Sequence, residues 1–170
     1  MVGDDPHGDR RHHADRPLPD PDRLSIQERL YPWLTCFGCG HANDKGLKLR
    51  SYDEGDAVRA RFVPWPEHGN GLGYLNGGII ATVLDCHSAA AVIVEAERRR
   101  WATFDDTVLP YVTAGIEVRY LRPTPLGEPL QLWAQVTDAT EAEMRVALEL
   151  RWDGKPRAAA QATWRRWQLR

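Results

Sequence analysis

Cysteine is scarce: Cys36, Cys39 and Cys86 are all that 170 residues contain. An odd, small number builds no disulfide framework. An excess of one charge is lacking as well. The formal net charge is −2 at pH 7, which leaves no strong field for nucleic acid or an anionic membrane surface. No apolar run reads as long enough to cross a bilayer. Residues 1–23 hold no apolar stretch of the signal-peptide kind. Together these absences lead us to expect a reducing, cytoplasmic setting, with neither a nucleic-acid nor a membrane partner. There is no internal repeat and no sign of a second domain.

What is present suits one globular domain. The chain is 42% hydrophobic and carries seven Trp, enough to build a core from a few bulky contacts. Residues 1–23 are rich in Asp, Arg, His and Pro and are read as a flexible polar tail, leaving 24–170 as a single domain. A short helix is expected over Ser25–Leu34, where Ser25 and Glu28 have capping-box spacing and Pro32 limits the length. Cys36-Phe37-Gly38-Cys39-Gly40 reads as a tight turn. Its two Cys are half of a zinc site, and His41 would add only a third ligand, so it is taken as a structural loop with no metal.

Period-two alternation over residues 47–52 and 57–62 predicts two strands joined at Glu54-Gly55-Asp56. After a Pro- and Gly-rich loop, residues Gly77 to about Arg100 form the longest apolar-rich segment, with helical spacing. Such a helix would run roughly 36 Å. Four more strands are predicted near Tyr111–Leu121, Pro129–Ala139, Glu143–Trp152 and Arg157–Trp167, the last pair turning at Asp153-Gly154. Antiparallel hairpins with one segregated long helix make an α+β domain. The helix is the large element available to cover the sheet, so the pattern implies the hotdog architecture, an antiparallel sheet wrapped around one long central helix.

The segment Gly73-Tyr74-Leu75-Asn76-Gly77-Gly78-Ile79-Ile80-Ala81-Thr82-Val83-Leu84-Asp85 resembles the hotdog acyl-CoA thioesterases of the PaaI-like type. There the pattern is Gly-x-x-His-Gly-Gly with a carboxylate nine residues after the His; here Asn76 stands for the His and the carboxylate is Asp85. Cys36–Gly40 with Asn43 and Gly46-Leu47 resembles the opening of one branch of that family. Arg119-Tyr120-Leu121-Arg122-Pro123 with Leu126-Gly127-Glu128 resembles its third strand and the turn after it. The resemblance spans about residues 36–167. It implies hydrolysis of acyl-CoA thioesters without metal or organic cofactor, by a homodimer or homotetramer.

On that basis Asp85 is the expected catalytic group, attacking the thioester carbonyl or activating water. An Asp within an apolar helix face is costly unless paired or used; a purely structural hydrogen bond to a nearby loop is the alternative. Backbone N–H groups at Gly77-Gly78 would stabilise the oxyanion, with Asn76 as N-cap. Thr113 matches a family position near the carboxylate, and Asn70 one that supports the thioester region. His68 and His87 are minor candidates for acid chemistry, since imidazole titrates near neutrality. Arg119 and Arg122 are candidates for the CoA phosphates. Asn76 and Asp85 are nine residues apart, about 13 Å and two and a half turns along one helix, so they lie on opposite faces. If both act on one carbonyl, a second chain must supply one of them, and the site spans a dimer interface. A non-catalytic acyl-CoA-binding hotdog protein is the main alternative. A hotdog hydratase would need a paired Asp and His motif that is not found, and a CxxC metal module needs more ligands than the motif holds.

Overall fold

The computed structural model describes residues 23–102 and 109–167. The expected tail therefore lies outside the described residues except at Arg23. That guanidinium donates to the Glu54 carboxylate at 2.9 Å and the Asp53 carbonyl at 2.8 Å.

Helix α1 spans Ile26–Leu30, shorter than the sequence pattern predicts. Ser25 and Glu28 form the reciprocal capping box, and Pro32 follows at once. Strands β1 (Arg50–Asp53) and β2 (Val58–Phe62) form the first hairpin. β1 starts three residues later than expected. The Leu47 and Leu49 amides donate instead to the carbonyls of Phe37 and Gly38, so the Cys36–Gly40 turn captures that stretch of backbone.

Helix α2 covers Gly77–Arg98. Asn76 caps it; it ends at Arg98, two residues before the predicted end, and Arg100, at φ 58°, turns the chain in the left-handed region just past it. Strands β3 (Tyr111–Tyr120), β4 (Leu130–Ala139), β5 (Glu143–Trp152) and β6 (Lys155–Arg166) match the predicted segments to within two residues. All pairings are antiparallel, in one six-stranded sheet of order β1-β2-β4-β5-β6-β3. This is the hotdog fold.

The sheet wraps α2. Val83, Leu84, Val92 and Ala96 of the helix are fully buried with Leu130, Met144, Leu150 and Ala158 of the sheet. One sequence expectation fails here: α2 is long and apolar enough, by length and composition, to cross a membrane. Its apolar window is 61% buried inside the protein, as expected of a core helix that must cover a sheet. β3 lies at one edge of the sheet, its far side unpaired in the single chain, with Val112 and Tyr120 exposed.

Candidate functional site

The two ends of the expected site sit in two separate cavities. The first lies at the N-terminus of α2. It measures about 410 Å³ and is lined in part by Asn70, Tyr74, Gly77, Tyr120 and Arg122. The Asn76 side-chain oxygen accepts from the Gly78 amide at 2.7 Å, and the Asn76 amide donates to the His68 carbonyl at 2.9 Å. The expected Asn76 cap is present, and it engages the Gly78 N–H. The Tyr120 hydroxyl donates to the Gly77 carbonyl at 2.9 Å. A Cβ on Gly77 would stand 3.3 Å from that ring, close enough that the ring would have to give by a few tenths of an ångström.

The second cavity, about 530 Å³, surrounds Asp85. Asp85 projects from mid-helix, half-buried, and its Oδ1 accepts from the Thr113 hydroxyl at 2.8 Å. Burial raises the carboxyl above its ordinary range; the Thr113 bond opposes this, and negative charge at Cys36 adds to it. The backbone there is held from behind. The buried Trp164 indole donates to Ser88 Oγ at 2.8 Å, and that hydroxyl donates to the Asp85 carbonyl at 2.7 Å. Elsewhere the walls are mainly apolar, including Tyr31, Leu34, Ile93 and Leu109.

Cys36, Cys39 and Cys86 meet at the edge of this cavity, with all three sulfurs within 4.8 Å of one another. The sequence motif does not suggest that Cys86 joins the turn, because it lies some fifty residues on. His41, the residue considered as a third ligand, faces the Glu28 carboxylate at 3.6 Å instead. Hydrogen bonds from its neighbours hold the Cys36 thiol well below an ordinary thiol, while the Cys39 and Cys86 thiols are pushed up.

The remaining candidates divide. Asn70 lines the first cavity, and its Oδ1 accepts from the Leu72 and Tyr74 amides, shaping the loop. Arg122 lines the same cavity while donating to the Pro156 carbonyl at 2.9 Å. Arg119 is exposed and lines neither cavity. His68 is stacked on Phe62 and Trp65, and its Nδ1 accepts from the Trp65 amide, so it braces the loop behind Asn76. His87 is fully buried on the sheet side of α2. Its Nδ1 contacts Ser51 Oγ at 2.9 Å and its Nε2 the Val58 carbonyl at 3.2 Å. Burial pushes it down to about 3, which keeps the ring neutral. Acid chemistry is thus a poor description of His87; it ties α2 to the first hairpin. Tyr120 is the cavity residue that sequence reasoning overlooked as a side chain. Its signal was present, in the same Arg119–Pro123 segment.

A family model for the thioesterase superfamily matches residues 72–159. No curated protein matches this chain. Among solved structures, a thioesterase superfamily protein from Shewanella loihica is 27% identical, with 75% of this chain and 98% of that one covered at a TM-score of 0.58. The Escherichia coli PaaI protein of the phenylacetic acid degradation operon is 19% identical, with 74% and 88% covered at 0.60. A Bacillus halodurans protein solved with CoA is 22% identical, with 73% and 77% covered at 0.58. The last two likenesses concern the fold.

Proposed function

The chain belongs to the thioesterase superfamily, and on that premise we propose that it hydrolyses acyl-CoA thioesters at sites shared between two copies. One observation carries this reading. A carboxylate leaves an apolar helix and enters an apolar cavity, with a hydroxyl bound to one of its oxygens. Burying a carboxyl there is costly, and use in chemistry is the compensation that family membership supports.

In this reading Asp85 attacks the thioester carbonyl or takes a proton from the attacking water, and Thr113 orients whichever oxygen reacts. The apolar walls receive the acyl group. The oxyanion is met by backbone N–H at the Gly77 end of α2, where the helix dipole favours negative charge. Gly77 contributes without Gly78, whose amide the Asn76 cap engages. The Arg122 guanidinium keeps N–H groups beyond its bond to Pro156 for a CoA phosphate. That a fold relative was solved with CoA supports the cofactor-ester class.

The two cavities belong to opposite faces of α2, so one chain alone does not bring acid and amide to one carbonyl. A homodimer does, and the β3 edge is the natural seam. A ten-residue strand with an unpaired edge invites another strand.

A panel of acyl-CoAs read by free-thiol release tests the reading. We expect turnover by the wild type and its near-abolition in Asp85→Asn. A second reading, a non-catalytic acyl-CoA-binding protein, is favoured by Asn76 standing where an imidazole is usual and occupying the Gly78 amide. Wild type and Asp85→Asn equally inert, while CoA esters still bind, would establish it.

A further inference from the structure

We propose that Cys36, Cys39 and Cys86 form a three-thiolate site for one zinc-class divalent cation, its fourth position open to the cavity that holds Asp85. The sulfurs come from two elements far apart in sequence, a turn and a helix, and lie within 4.8 Å of one another. The Cys36 and Cys86 sulfurs are 3.7 Å apart. A disulfide would need about 2.05 Å. Sulfurs each about 2.3 Å from a tetrahedral zinc stand about 3.8 Å apart.

The turn is shaped to deliver them. The Gly40 amide closes the turn on the Cys36 carbonyl at 2.8 Å. Both glycines are required by close approach. A Cβ at Gly38 would sit 2.3 Å from the Cys86 sulfur, and one at Gly40 would sit 2.4 Å from the Cys36 backbone nitrogen. The turn can therefore press its sulfurs onto α2 only with no side chain in between.

Among the described residues, no further His, Cys or carboxylate joins the group. Three protein ligands and one open corner is the arrangement in which zinc keeps a water. On binding, the protons of the ligating thiols leave to solvent. The cation would clasp the Cys36–Gly40 turn to the helix one residue beyond Asp85.

The test uses the full chain, reduced and stripped with chelator, then titrated with Co²⁺ and back-titrated with Zn²⁺. We expect thiolate-to-cobalt charge-transfer absorption that saturates at one cobalt per chain and is bleached by zinc. Cys36→Ser and Cys86→Ser should lose that absorption at stoichiometric cobalt, and His41→Ala should keep it. A thiol reagent should modify the half-buried Cys36 in the stripped protein and leave it almost untouched with zinc bound. That measurement needs no variant, so it decides even if Cys86→Ser fails to fold. No charge-transfer absorption in the wild type, full absorption in Cys86→Ser, or a Cys36 thiol that zinc leaves unprotected would each overturn the proposal. So would the loss of two thiols to a disulfide in protein that binds no cobalt. None of these readouts is turnover, so an inert protein that binds cobalt sinks the hydrolase reading alone.

Discussion

Asp85 and Thr113 are where a single atom matters most. Replacing the carboxylate in Asp85→Asn keeps shape and hydrogen bonding, so the fold should persist while turnover falls by about 10²–10⁴-fold, the usual contribution of a general base. Circular dichroism beside free-thiol release separates the two effects. Thr113→Val removes a hydrogen bond to a charged group, commonly about 1.5–3 kcal/mol, so turnover should drop about 10–100-fold. The same loss should lower the melting temperature by several degrees, at about 2–4 °C per kcal/mol. Glu28 offers a test of stability. Burial raises its pKa, yet hydrogen bonds from the Ser25 amide and hydroxyl, with the Arg50 ion pair at 2.9 Å, outweigh that and leave it lowered. A folded-state pKa below the unfolded one adds stability above the ordinary carboxylate range and loses it as pH falls through the folded value. The melting temperature of wild type should therefore exceed that of Glu28→Gln at pH 7, and the gap should close on acidification.

Elements hold these residues in place through a few contacts between turns, helix and sheet. Ser88 joins α2 to β6, accepting from the buried Trp164 indole and donating to the Asp85 carbonyl. Ser88→Ala leaves the indole N–H unpaired and should cost about 1–3 kcal/mol in denaturant unfolding. At this scale much was legible in the sequence. Strand alternation marked β2 to β6, and the Ser25/Glu28 pair marked the start of α1, because these signals act between near neighbours. The end of α2 was legible to within two residues: the three arginines read as its terminus, and of them Arg100 adopts the left-handed φ just past it. The late start of β1 was hidden. Residues 47–49 alternate like a strand, but their amides find the Cys36–Gly40 turn before they find β2.

The whole molecule decides whether there is a site at all. One chain presents an acid cavity and an amide cavity on opposite faces of one helix. If two copies pool them, Asp85→Asn and an inactivating Gly77→Val should complement when co-expressed. Each mixed dimer then holds one intact site and one doubly altered site. With random pairing about a quarter of wild-type activity should return, measured on the purified mixture. Sites complete within one chain would give no recovery. Light scattering should show a mass that is a multiple of the dimer.

The sequence by itself determined the order of elements, the helix that covers the sheet, and the acid nine residues past its cap. These rest on hydrophobic period, turn chemistry and spacing along one rigid element, all local properties. Only the tertiary structure decided that Cys86 joins Cys36 and Cys39 and that His87 is a neutral buried tie. Those outcomes depend on how a helix is rotated against its turn and sheet. That rotation is set by packing summed over the whole core, which no short stretch of residues encodes.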